Sequence, residues 1–163
     1  MLPKIKNILF ASDLSKNADN ALRQALSMAQ AYGAKVQVLH VTEPLSQDAI
    51  VTMRMFLQDD ASRKAAIKDR HDSIKKMLKV NQQEFVGSLT PEEKDAYAAV
   101  SSVELDEGNP AETILKRAKE LDCQLIVMGT HEHSTGGHTF IGTVVKRVLR
   151  RSTIPTLVVP HAA

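Results

Sequence analysis

The chain has 163 residues, of which 43% are hydrophobic and 25% are charged, and this balance is typical of one globular domain with a sizeable core. The formal net charge of +2 is too small to indicate a nucleic-acid partner. Apolar runs stay below the roughly 18 residues that a membrane span needs, and the lone Cys123 excludes an internal disulfide. We therefore expect a protein of the reducing cytoplasm with neither a membrane nor a nucleic-acid partner.

The first elements alternate between short apolar runs and one amphipathic segment. Residues 5–11 form an apolar run that predicts a buried strand, and the run from Val36 to Val41 predicts a second one. Between them, Ser15 is a candidate N-cap for a helix that runs to Tyr32. Gly33 is the candidate C-cap, because glycine adopts the left-handed conformation that ends many helices.

The stretch from Glu43 to Val100 departs from this alternation. It contains a predicted helix from about Asp60 to Phe85, in which apolar residues recur along one line: Ile67, Ile74, Leu78 and Phe85. Thr90 followed by Pro91 predicts a further helix start. No repeat or low-complexity linker indicates a domain boundary, so we predict a single domain over residues 1–163 that includes this excursion.

The segment from Ala49 to Leu57 concentrates methionine and apolar residues outside the regular pattern. Met-rich surfaces repack readily around partners, so the segment is predicted to be mobile and to face a protein partner. A packed lead-in to the long helix is the alternative that the sequence leaves open.

The last part of the chain returns to alternating elements. Asn109 is a candidate N-cap, Pro110 suits the first helical position, and Glu112 suggests a capping box. The remaining elements are predicted strands over Ser101–Leu105, Leu125–Met128 and Thr156–Val159, and an amphipathic helix over Val144–Arg151. Strands that alternate with helices predict an α/β fold, with a parallel sheet covered by helices on both faces.

A buried strand, a polar loop and a helix start follow one another after residue 125. The strand ends at Gly129, and the helix begins next to Gly142 and Thr143. The free N–H groups of a helix start and the helix dipole favour a bound anion. Glycine permits close approach of a ligand, and threonine adds a hydroxyl. A phosphate site is therefore one interpretation, and a tight turn with an ordinary N-cap is the other.

This segment resembles the signature of the universal stress proteins, which is G-x-x-G, nine residues, and then G followed by Ser or Thr. Gly129, Gly142 and Thr143 match it, whereas Glu132 stands in place of the second glycine. The resemblance extends along the chain to Asn7–Asp13, Val38–Val41, Gly108–Ile114 and Pro155–Pro160.

The resemblance implies an open, Rossmann-like sheet of five parallel strands in the order 3-2-1-4-5. In that order, strands one and four end side by side at a topological switch point, where ligands of such sheets bind. The resemblance also implies ATP as ligand, with Mg²⁺ as a candidate ion. Asp13 would face the nucleoside and the main chain of Val41 would reach the base. The implied nucleotide-binding residues are Ala11, Ser12, Asp13, Val41, Met128, Gly129, His131, Glu132, Gly142, Thr143 and Val144.

Three functions remain open. The first is a nucleotide-binding regulatory protein of the stress response that acts as a homodimer through Thr156–Val159. The second is a family member without nucleotide that works through dimerisation and protein contacts. The third is an adenylylating enzyme on the related fold, whose H-x-G-H or S-G-G-x-D-S loops are absent from this sequence, as is the P-loop pattern. We therefore predict no catalytic residue and at most weak ATP hydrolysis.

The loop before Gly142 contains three histidines, a residue type that often binds metal ions. His131 and His133 have the H-x-H spacing, and His138 follows. No cysteine or acidic residue completes a set with known ligand spacing, so no metal site is predicted.

Replacement of Glu132 by Gly restores the signature and is expected to raise the affinity for ATP. Two unit charges about 4 Å apart repel by about 4 kcal/mol at an effective dielectric constant of about 20, and about 1.4 kcal/mol corresponds to ten-fold in affinity. We expect a gain of about ten-fold or more by calorimetry, and a smaller gain for uncharged adenosine. Glu132→Gln separates charge from bulk, and equal ATP affinity in all three proteins would contradict the prediction.

Overall fold

Five parallel strands form the centre of the computed structural model, which describes residues 1–130 and 141–161. The strands are β1 (Asn7–Ser12), β2 (Lys35–Thr42), β3 (Val100–Glu107), β4 (Leu125–Gly129) and β5 (Thr156–Val159). Their order in the sheet is β3-β2-β1-β4-β5, and every pairing is parallel. The predicted fold class and strand order are thus confirmed.

Six helices are described: α1 (Lys16–Tyr32), α2 (Gln47–Phe56), α3 (Asp60–Ser88), α4 (Pro91–Tyr97), α5 (Pro110–Glu120) and α6 (Thr143–Arg151). The predicted caps of α1 are confirmed, because the Ser15 hydroxyl accepts from the Ala18 N–H at 3.3 Å and Gly33 is left-handed at φ 64°. Asn109 caps α5 by accepting from the Glu112 N–H. The Glu112 carboxylate instead pairs with Arg151 at 3.4 Å.

The side chains of the strands alternate between two separate cores. On one face, Phe10, Val38 and Val127 pack against α1 and against Phe85 of α3. On the other face, Leu9, Leu39, Ile126 and Met128 pack against α5 and α6. This alternation follows from the two-residue period of a strand. The second face matters for function, because the crevice described below opens at its edge.

The excursion between β2 and β3 is only partly attached to the sheet. Of the predicted apolar line in α3, Leu78 and Phe85 are buried, whereas Ile67 is 47% exposed. The helix has 29 residues and is therefore about 43 Å long, at about 1.5 Å per residue. A strand of eight residues such as β2 spans only about 27 Å, and the two buried residues of α3, Leu78 and Phe85, both lie in its C-terminal half.

The segment Ala49–Leu57 forms most of α2 and its C-cap. No residue of α2 is fully buried, whereas Ala49, Ile50, Met53 and Leu57 are half-buried, and the mobility and partner of this segment stay predictions. Across the described parts of the chain, no helix is both long and apolar enough to cross a membrane.

Candidate functional site

A cavity opens where β1, β2 and β4 end, and it spans roughly 640 Å³ together with the open solvent at its mouth. It lies beside the starts of α5 and α6, which supply Pro110, Ile114, Val144 and Val145. The strands and the loop after β1 supply the other walls, and α1 contributes one residue: Ala11, Ser12, Asp13, Ala18, Leu39, His40, Val41, Met128 and Gly129. The ends of β1 and β4 meet here, because these two strands pair directly.

The structure brings most of the predicted site residues together. Those that line the cavity are Ala11, Ser12, Asp13, Val41, Met128, Gly129 and Val144. Gly142 and Thr143 are the N-cap and first residue of α6, immediately before the lining residue Val144. His131 and Glu132 lie outside the described residues, as do His133 and His138.

Several lining residues were not predicted from the sequence. Leu39 shares a strand face with Val41, so the two-residue period could have identified it. Ile114 lies one helical turn after Pro110, and Val145 follows Val144. Ala18 and His40 come from the opposite face of the sheet and had no local signal.

The Asp13 carboxylate is held at the start of α1. Its Oδ1 atom accepts from the Ser15 N–H at 2.9 Å and from the Ser15 hydroxyl at 2.5 Å. Ser15 is also the N-cap of α1. Asp13 is therefore oriented by the helix start while it stays exposed at the mouth of the cavity.

His40 bridges the ends of two strands. Its Nδ1 atom lies 2.7 Å from the main-chain oxygen of Ser12. Since a carbonyl oxygen only accepts, Nδ1 carries the hydrogen, and in a neutral ring Nε2 is then an acceptor. This ring places a polar group on the wall of a cavity that is otherwise mostly apolar.

The start of α6 differs from the other described helix starts. Side chains cap the other five described helices, namely Ser15, Ser46, Asp59, Thr90 and Asn109. The N-cap of α6 is Gly142, which has no side chain, and no side-chain cap bond is made. The first N–H groups of this helix are consequently not used by a cap, which is the arrangement that suits an anion.

Gly129 has a structural role as well as a place on the cavity wall. A Cβ atom at this position would lie 3.2 Å from Asn17 Nδ2 and 3.5 Å from the Ala21 Cβ. The Asn17 amide is buried and donates to the Thr130 main-chain oxygen at 2.5 Å. Glycine therefore lets α1 pack closely on the end of β4, independently of any ligand.

We expect Gly129→Val to lower the free energy of unfolding by about 1–3 kcal/mol, since overpacking forces neighbours to shift. Urea unfolding measures this loss. Gly87→Val is the control for valine in place of glycine, because a Cβ at Gly87 meets nothing within 4 Å. Equal losses in both variants would show that close packing on Asn17 is not the cause.

Cys123 lies apart from the cavity and is buried in the second core. Burial raises the pKa of its thiol to about 11, and the nearby Asp122 adds to the increase. The thiol therefore stays protonated near neutral pH, as a packed side chain does. Among the residues that the structure describes, no group of three or more His, Cys, Asp or Glu could hold a metal ion.

The sheet order and the crevice define an open, Rossmann-like α/β protein of the class that binds small ligands where the strand order reverses. The chain belongs to the universal stress protein family, whose family model matches residues 4–160. The crevice thus lies within the part of the chain that this match covers.

One relative supports the family assignment, and two solved structures of lower identity share the fold. A universal stress protein of Thermus aquaticus, from the QAH/OAS sulfhydrylase 3′ region, is 30% identical over 94% of this chain and 98% of its own length. Among solved structures, a universal stress protein in complex with cAMP has a TM-score of 0.60 at 20% identity, covering 98% of this chain and 100% of its own. The universal stress protein of Archaeoglobus fulgidus in complex with dAMP has a TM-score of 0.54 at 18% identity, covering 94% of this chain and 96% of its own.

Proposed function

We propose that this protein is a regulatory protein of the stress response that binds an adenine nucleotide in the crevice between Asp13 and the start of α6. ATP is the first candidate for this nucleotide. The observation that carries the proposal is the pairing of an uncapped helix start with an oriented carboxylate across one cavity. Two structural relatives were solved with adenine nucleotides, cAMP and dAMP, which supports the choice of base. The cytoplasm is the proposed location.

The cavity walls suit the base, the ribose and the phosphates of such a nucleotide. Leu39, Val41 and Met128 offer an apolar surface for the base, and His40 Nε2 offers an acceptor for an amino group. Asp13 accepts hydrogen bonds from ribose hydroxyls. The N–H groups at the start of α6 receive the phosphates, and the Thr143 hydroxyl adds a donor.

Mg²⁺ accompanies ATP in this proposal as an ion carried mainly by the phosphates, because Mg²⁺ is usually bound through one or two carboxylates together with substrate phosphates. Asp13 is the carboxylate on the described cavity wall. No catalytic role is assigned to any residue.

Calorimetry with ATP, AMP, adenosine and GTP tests the proposal. We expect ATP to bind more tightly than adenosine, because adenosine has no phosphate for the start of α6, and more tightly than GTP, whose base presents different groups to His40. Thr143→Ala should cost about 1 kcal/mol through the loss of one hydroxyl contact. Absence of ATP binding at millimolar concentration would refute nucleotide binding and favour the nucleotide-free dimer.

The sheet edge at β5 favours dimerisation, and we propose a homodimer through Thr156–Val159. In the described sheet β5 pairs only with β4, and Leu157 and Val158 are half-buried. An apolar edge strand is an aggregation hazard unless it is paired or covered. A two-fold axis lets the same strand of a second copy cover it.

Val158→Lys is expected to separate the two copies at this edge, because it places a charge in an apolar contact. The assembled mass from light scattering should fall by half. Tyr32→Lys, at a residue that is 54% exposed at the end of α1, is the control and should leave the mass unchanged. An unchanged mass for Val158→Lys would place any dimer contact elsewhere.

A further inference from the structure

Helix α2 carries an apolar stripe that is exposed in the part of the chain that the structure describes. Val51 is 53% exposed and Met55 is 71% exposed, and no residue of α2 is buried. Val51 comes three residues after Asp48, and Arg54 and Met55 come three and four residues after Val51, so the four lie on one face of the helix. Asp48 is at the N-terminal end of this face, and Arg54 is beside Met55 at its C-terminal end.

A groove on α3 has the matching composition. It is open, spans roughly 850 Å³ together with the adjoining solvent, and is lined by Leu14, Ser73, Lys76, Met77, Val80, Asn81 and Glu84. Met77 is 60% exposed and Val80 is 41% exposed. Along α3, Lys76 comes before this apolar pair and Glu84 comes after it. The third apolar wall, Leu14, is held in the left-handed region at φ 63°, an uncommon conformation for leucine.

The charges of the two surfaces are complementary in one orientation. When α2 lies parallel to α3, Asp48 meets Lys76 and Arg54 meets Glu84. At about 1.5 Å per residue, Asp48 and Arg54 are about 9 Å apart along α2, and Lys76 and Glu84 are about 12 Å apart along α3. Long side chains accommodate this difference. In this register Val51 lies opposite Val80. The reverse orientation would bring like charges together, so the pattern selects the parallel one.

We propose that the groove on α3 receives helix α2 of a second copy of this chain, so that two copies exchange their α2 helices across a two-fold axis. The segment lies near the N-terminus of α3 and the groove lies in its C-terminal half. In the proposed arrangement the two α3 helices run antiparallel across the axis and each α2 runs antiparallel to its own α3. Each α2 then meets the other copy's groove, and the contact is made twice. The proposal names the partner of the Ala49–Leu57 surface and is independent of the edge strand β5.

Cross-linking tests this contact directly. A Val51→Cys chain is mixed with a Val80→Cys chain and treated with a short bis-maleimide, while the native Cys123 thiol stays buried and protonated. We expect a cross-linked pair in the mixture and little in either chain alone. Oligomers that form in the mixture without this cross-link would overturn the proposal.

The assembled mass provides a second test, carried out in the Val158→Lys background to remove the edge contact of β5. The β5 contact and the α2 contact together make a tetramer of the parent chain, so the Val158→Lys chain should be a dimer with half the parent mass. Met55→Glu should convert this dimer to a monomer, and Tyr32→Glu should have no effect. Lys76→Glu and Asp48→Lys should each weaken the dimer about ten-fold or more, and the two together should restore it. A monomer before Met55 is changed, or a charge exchange that fails to restore association, would refute the contact.

Discussion

Replacement of Ala11 by Phe is expected to lower the affinity for ATP by about 100-fold or more, which corresponds to about 2.7 kcal/mol. Ala11 lies near the end of β1, pairs with Met128 of β4 and lines the cavity. A phenyl ring at this position would fill the space that the proposed ligand needs. Because the cavity is open, the ring can enter it without displacing the core, so the loss should be in binding rather than in folding. Calorimetry measures the affinity and urea unfolding measures the stability.

Leu149→Phe is the matched control, since it adds a ring on the surface of α6 at a residue that is 46% exposed. It should bind ATP like the parent protein. If Ala11→Phe also bound like the parent, ATP would lie outside the crevice. If the variant lost stability together with binding, Ala11→Leu would give the smaller obstruction needed to separate the two effects.

Replacement of Ile126 by Ala is expected to lower the free energy of unfolding by about 2–5 kcal/mol, the range for large-to-small changes in a packed core. Ile126 is fully buried in β4, between β1 and β5, and packs in the core beneath α5 and α6. The protein cannot close the resulting cavity without moving the central strands. Chemical unfolding followed by circular dichroism gives the change.

Ile67→Ala provides the same chemical change at an exposed place. Ile67 lies in the N-terminal half of α3 and is 47% exposed, so its loss should stay within about 0.5 kcal/mol, as for most surface substitutions. A comparable loss in both variants would mean that the N-terminal half of α3 is packed in solution, against the arrangement described above.

Local features of the chain were the most predictable part of the fold. Ser15, Gly33, Thr90 and Asn109 all act as the caps that their sequence context predicted. They were predictable because a cap satisfies main-chain groups within about four residues of itself. The other strands were found from apolar runs for a similar reason, as a strand buried on both faces needs apolar residues throughout. The edge strand β3, which has no fully buried residue, was predicted from the alternating Ser-Val-Glu-Leu segment instead.

The strand order could not be read from these patterns, because hydrophobic periodicity contains no information on which strands pair. It came from the resemblance to the universal stress proteins, and so did the choice of Asp13 and Val41 as site residues. The structure then placed both on one cavity wall together with Met128 and Gly129.

The sequence by itself determined the alternation of strands and helices, their caps, and the helix start after Gly142, since hydrogen bonds and side-chain periods act over a few residues. Tertiary structure alone decided that His40 reaches across to Ser12, that Gly129 makes room for Asn17, and that Ile67 stays exposed while Phe85 is buried. Each of these depends on which strands are neighbours and on how far a helix extends past the sheet. Such distances in space are set by packing among residues far apart in the chain, and no local pattern specifies them.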